Sequence, residues 1–136
     1  MKTKIFVYLL IPISTFFFSC SKKAEVSYRP VATEEIRIGA LLSLTGSGSS
    51  SGQFSSVSLD LARIDIQAYL DSAGIEKRLT LITADTRTDT AEALVQLRHL
   101  YEKGIRMVIG PYSSAELAAL KQFADNHGML LVSPSS

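Results

Sequence analysis

Four short segments hold most of the residues in this sequence that could contact a small molecule: Thr45–Gln53 (TGSGSSSGQ), Asp85–Thr88 (DTRT), Pro111–Ser114 (PYSS) and Pro134–Ser136 (PSS). Hydroxyls and glycines dominate them. Serine and threonine hydroxyls, with the free N–H groups where helices begin, hydrogen-bond small polar or anionic groups without supplying a strong nucleophile. That is the chemistry of holding. One segment also spells a catalytic motif, since Gly48-Ser49-Ser50-Ser51-Gly52 fits G-x-S-x-G and would make Ser50 a hydrolase nucleophile on a strand-to-helix turn. A Gly/Ser run matches that pattern easily, and the motif needs later acidic and histidine partners. His99 lies mid-helix and His127 beside a helix-ending glycine, where both read as surface residues. The spacing of Gly46, Gly48 and Gly52 is one residue too long for a dinucleotide fingerprint, and no Gly-Lys-Ser/Thr phosphate loop occurs. The two histidines and one cysteine show no metal-ligand spacing, so neither cofactor nor metal is expected.

The elements that position these segments follow from the rhythm of the chain. Ile36–Leu44, Leu79–Ala84, Met107–Ile109 and Met129–Val132 are apolar runs with the near-continuous hydrophobicity of strands covered on both faces. Between them, Val57, Leu61, Ile64 and Ala68 recur at helical spacing, as do Leu94, Leu97 and Tyr101, and then Leu117, Leu120 and Ala124. Each set is expected to be a buried stripe. Asp89 with Glu92, and Ser113 with Glu116, have the spacing of capping boxes at the second and third helix starts. Gly74, Gly104 and Gly128 stand where the helices should stop. The order is βαβαβαβ, which demands right-handed crossovers and a doubly wound, Rossmann-like parallel α/β sheet. In such a sheet the ligand crevice lies beyond the carboxyl ends of the strands, where the four hydroxyl-rich segments fall. Four strands make a small sheet for the class, and the sequence stops directly after a strand that ought to feed another helix, so a fragment is expected.

The amino terminus supplies an address. Lys2 and Lys4 precede an almost wholly apolar run, Ile5 to Phe18, and Ser19 stands before the only cysteine, Cys20. This is an export signal. The run is shorter than the ~20 residues a membrane-spanning helix needs and carries Pro12. It resembles the signals of bacterial lipoproteins, in which the cysteine is acylated after cleavage before it; the family prefers Leu where this chain has Phe17. Two or more acyl chains anchor a protein stably, so Cys20 would fix it to a bilayer. The alternative is an ordinary secretory signal with an incidental thiol. Residues 20–35 are polar and aperiodic and read as a tether. Without residues 1–19 the chain carries 12 basic and 13 acidic residues, a formal charge of −1, which gives no basic field for nucleic acid.

Taken together, IRIGALLSLTGSGSSSGQ, LITADTRTDTAEAL, MVIGPYSSAE and LLVSPSS resemble the first lobe of the type I periplasmic binding proteins. The similarity is greatest to the substrate-binding lipoproteins of branched-chain amino acid ABC transporters. It covers residues 36–136. The resemblance implies two lobes joined by a hinge, closing on a small ligand without enzymatic turnover and presenting the closed form to a permease. It implies that Ser114 binds the ligand carboxylate by hydroxyl and N–H, with Ser113 as its neighbour and helix cap. Ser136 falls where the family offers a carbonyl to the ligand ammonium, and Ser51 where many members have a bulky wall. Tyr112 either lines the cleft or packs beneath it. Asp85 either pairs with a ligand amine or, as is common in the family, fixes loop geometry, and the second is preferred. A sensor subunit reporting to another membrane protein would use the same cleft. The resemblance further implies that the second lobe's contacts lie outside this sequence, so this chain by itself should bind ligand weakly.

Overall fold

A computed structural model describes residues 34–135; the signal, Cys20, most of the tether and Ser136 lie outside the described residues. Four strands, β1 (Glu34–Leu42), β2 (Lys77–Asp85), β3 (Met107–Ile109) and β4 (Leu130–Val132), alternate with three helices, α1 (Ser49–Ser72), α2 (Thr90–Glu102) and α3 (Ser114–Asn126). The expected βαβαβαβ order holds, with strand ends displaced by at most two residues. All pairings are parallel, in the order β2-β1-β3-β4.

That order decides where the helices lie. The step from β1 to β2 runs one way across the sheet, and the steps from β2 to β3 and β3 to β4 run the other way. Right-handed crossovers then place α1 on one face and α2 with α3 on the other. The main core lies on the α2/α3 face, where Leu97, Leu100, Leu120 and Ala124 close over Leu41 and Val108. Of the stripes expected on α2 and α3, Leu97, Leu120 and Ala124 are therefore buried, Leu94 and Tyr101 pack against this core partly exposed, and Leu117 is half-buried.

The stripe expected on α1 is not buried. Val57, Leu61 and Ile64 are 61%, 59% and 52% exposed, and Ala68 is exposed as well. Two contacts fix the rotation of this helix. Gly52 is buried against the Ser43 carbonyl, where any Cβ would overlap that backbone. About four turns on, the Gln67 carboxamide reaches the outer edge of β2, accepting from Leu79 N (2.9 Å) and donating to Lys77 O (3.1 Å). A side-chain amide thus satisfies part of an edge strand that would otherwise present unpaired peptide groups. These contacts turn Gly52, Leu59, Gln67 and Leu70 toward the sheet and leave the more apolar stripe outside. Met107, Leu130 and Val132, about half exposed, lie on β3 and β4, on the strand positions alternate to Val108 and Leu131, which face the core.

The helix ends match their capping residues unequally. At α3 the box is complete: Ser113 Oγ accepts from Glu116 N, and Glu116 Oε2 accepts from Ser113 N. At α2 it is one-sided, because Asp89 accepts from Glu92 N (2.7 Å) while the Glu92 carboxylate accepts instead from Gln96 Nε2 (2.6 Å). Gly74, Gly104 and Gly128 follow the helices with positive φ.

Candidate functional site

The crevice is built by the loops beyond the carboxyl ends of the strands, and strand register decides which of their hydroxyls meet. Leu42 pairs with Asp85 at the end of the β1–β2 ladder, so the next residues, Ser43 and Thr86, stand side by side. Both are fully buried and share a hydrogen bond of 3.1 Å. Just above them, Thr45 Oγ1 donates to Asp85 Oδ2 (2.6 Å), while Thr45 N and Arg87 N donate to Asp85 Oδ1 (3.2 and 2.9 Å). Gly48 N donates to Thr88 Oγ1 at 2.9 Å. The loops after β1 and β2 are therefore fastened to each other.

Asp85 is the centre of that fastening. Partial burial pushes its carboxyl up, but the hydrogen bonds from the Thr45 hydroxyl and from the Arg87 and Thr45 N–H groups, with the nearby Leu44 N–H, outweigh burial and hold it below the ordinary carboxylate value. Its bonds help stabilise Arg87 and Thr88, which take φ of 55° and 58°, a region that side chains with a Cβ resist. This geometry matches the loop-fixing role rather than the pairing with a ligand amine.

A second pair of loops follows β3 and β4. Gly110 takes φ of 101° and lies so close to the Leu41 carbonyl that a Cβ would overlap it. From there the chain passes through buried Pro111 to Tyr112 and the α3 cap. Ser133 Oγ donates to Pro111 O and Ser135 Oγ to Tyr112 O, each at 2.7 Å. Between the two pairs lies an apolar cleft of about 300 Å³, lined by residues including Leu42, Phe54, Leu59, Ile109, Tyr112 and Pro134.

Thr45, Thr86, Thr88, Ser113 and Ser135, part of the hydroxyl set that made the sequence look like a binding surface, are thus engaged with protein groups. Ser113 Oγ donates to Glu116 Oε2 (2.7 Å) within the capping box, so its hydroxyl serves the helix. Glu116 is itself 1% exposed. Ser114, the first residue of α3, is exposed beside it. A helix start leaves its first N–H groups without intrahelical acceptors, and the Ser113 side chain takes that of Glu116, which leaves those of Ser114 and Ala115 for a ligand. Tyr112 is 38% exposed and lines the apolar cleft, so it faces the crevice rather than packing beneath it. Ser51 is half-buried in the first turn of α1, and Ser136 lies outside the described residues.

The hydrolase arrangement does not form. Ser50 is at the amino-terminal end of α1, at the crevice, whereas His99 is in the last turn of α2 and His127 caps the end of α3. Helices that return antiparallel to the strands place those ends at the opposite edge of the sheet, roughly 20 Å away for a 13-residue helix. There His127 stacks on Phe123, centroids 4.0 Å apart, and its Nδ1 is 2.8 Å from Phe123 O.

An open parallel sheet whose strand-end loops offer a helix N-terminus, an exposed hydroxyl and an apolar cleft is suited to holding a small ligand. Comparison with known proteins identifies the kind. Residues 35–136 match the family model described as periplasmic binding protein, and the chain belongs to that family. It is 27% identical over 123 residues to an uncharacterized protein of Methanocaldococcus jannaschii, covering 89% of this chain and 30% of that one. Among solved structures it resembles an ABC transporter substrate-binding protein from Sphaerobacter thermophilus, with 28% identity and a TM-score of 0.63 over 76% of this chain and 27% of the other. It also resembles the branched-chain amino acid transporter substrate-binding protein LivJ from Streptococcus pneumoniae, with 28% identity and a TM-score of 0.65 over 75% of this chain and 29% of the other. The chain therefore spans less than a third of these relatives. Its family is one of binding proteins, not enzymes.

Proposed function

We propose that this chain contributes the first-lobe half of a site that captures a small amino acid outside the cytoplasm and delivers it to an ABC transporter permease. The observation that carries the reading is the start of α3: an exposed Ser114 hydroxyl beside two uncapped N–H groups, at the positive end of a helix and at the carboxyl edge of the sheet. A carboxylate fits there, accepting from the hydroxyl and the N–H groups. The neighbouring apolar cleft, bordered by Tyr112, suits an uncharged side chain. The Streptococcus pneumoniae relative was solved in complex with isoleucine, which makes branched-chain amino acids the first ligands to try. Ser51 forms part of the wall on the α1 side, Ser113 holds the helix start in shape, and Ser136 supplies a carbonyl toward the ligand ammonium. Cys20, acylated after removal of residues 1–19, tethers the domain to the membrane within reach of the permease, with residues 20–35 as the tether.

Amide chemical shifts recorded during an L-isoleucine titration test the ligand site. The expected result is a millimolar response centred on Ser113–Glu116, weakened by Ser114→Ala and absent with isoleucinol, which lacks the carboxylate. A response elsewhere, or equal response to isoleucinol, would refute the assignment. Mass spectrometry of the membrane fraction tests the anchor: a mature terminus without acyl chains removes it.

A further inference from the structure

The turn that presents Ser114 is held from outside its own helix. The peptide unit joining Tyr112 to Ser113 is planar, so holding both its oxygen and its N–H restricts its orientation far more than holding either alone. Ser135 Oγ donates to the oxygen (2.7 Å), and the N–H donates to Glu116 Oε2 (3.2 Å). One unit earlier, the Pro111 carbonyl accepts from Ser133 Oγ (2.7 Å). Earlier still, Gly110 N donates to Val132 O (2.8 Å). Successive peptide units leading into α3 are thereby fastened to the segment that ends β4 and follows it. The capping box alone could hold the first turn of the helix, but it could not hold the direction from which the chain enters.

From this we propose that Ser133 and Ser135 are positioning residues for ligand capture: their hydroxyls clamp the Pro111–Tyr112 turn so that Ser114 and the first N–H groups of α3 keep their place at the carboxyl edge of the sheet. The inference rests on the ligand-holding role proposed above and adds two residues that do not touch ligand through their side chains. A ligand that contacts both the α3 start and the segment that follows β4 then meets one rigid unit instead of two independent loops. The ordering cost is met during folding rather than on binding.

Hydrogen exchange and an L-isoleucine titration of the full chain, followed by amide chemical shifts, separate the two layers. Ser133→Ala and Ser135→Ala should each accelerate exchange at the Gly110, Ser113 and Glu116 amides about fivefold, the double variant about 25-fold, with β1 amides such as Leu41 unchanged. The isoleucine response at Ser114 should weaken by the same factors, and Ser135→Thr, which retains the hydroxyl, should restore both. Unchanged exchange at the three turn amides in the double variant overturns the clamp. So does an acceleration that β1 shares equally, because the effect is then global. If isoleucine moves no amide of the unaltered chain, the ligand-holding reading fails, and the exchange rates still decide whether the clamp exists.

Discussion

Replacing Asp85 with alanine should destabilise this domain more than its position at the crevice rim suggests. The carboxylate accepts three hydrogen bonds, from the Thr45 hydroxyl and from the N–H groups of Thr45 and Arg87. Bonds to a charged group contribute about 1.5–3 kcal/mol each when sheltered, but this carboxylate is only half-buried and water replaces part of what is lost. The two residues that follow at positive φ, Arg87 and Thr88, also lose a support for a conformation that costs on the order of 1 kcal/mol each. Allowing for relaxation of the loop, a net loss of about 2–3 kcal/mol is expected at pH 7, or roughly 10–20 °C in Tm for a domain of this size. The pH dependence gives a second check. Because the folded carboxyl is held below its ordinary value of 3.8, its contribution is fully present above that value and is lost as pH falls through the lower folded value. Urea denaturation of both proteins at pH 7 and at successively lower pH below 4 should therefore show a gap that narrows with acid. A gap under about 0.5 kcal/mol at pH 7, or one that stays constant into acid, would refute the role assigned to Asp85.

Other expectations concern the helix that turned away from its apolar stripe. Gly→Ala within a helix ordinarily stabilises by about 0.5–1 kcal/mol, yet Gly52→Ala should destabilise by more than about 2 kcal/mol, because the new methyl meets the Ser43 backbone carbonyl; thermal melting reads the sign. Leu61→Ser on the exposed stripe should change stability by no more than about 0.5 kcal/mol, while Leu97→Ala in the core costs about 2–5 kcal/mol. Equal losses in the two variants would mean that α1 is rotated the other way. Gln67→Ala should cost about 1 kcal/mol and raise exchange at the Leu79 amide, with the amides of β1 little affected. Slow exchange at Leu79 in that variant would count against the edge-capping contact.

The order of elements was readable because period-2 and period-3.6 hydrophobicity are properties of a few neighbouring residues. The same holds for the caps: Ser113 and Glu116 are three residues apart, so their box could be recognised locally and is complete in the structure. The α2 box had the same spacing, but Gln96, a turn further on, competes for the Glu92 carboxylate. The stripe on α1 looked like its neighbours, and its exposure depends on Gly52 meeting Ser43 and Gln67 meeting β2, contacts between separate elements. Helical spacing identifies a face without saying what that face meets.

The hydroxyl-rich segments mark this division most clearly. Residue types alone placed Ser and Thr beyond every strand, enough to point to holding rather than catalysis, and the short motifs pointed to the binding-protein family. Which hydroxyls remain for a ligand depends on pairings such as Ser43 with Thr86, Thr45 with Asp85 and Ser135 with Tyr112, separated by 43, 40 and 23 residues. Strand register and the crossover hand bring those partners together, and both are properties of the assembled sheet. The residue types settled which chemistry is available at the crevice; the fold settled that Thr45, Thr86, Thr88 and Ser135 fasten the loops and that Ser114 stays exposed, because a hydrogen bond forms only where the fold brings donor and acceptor within about 3 Å.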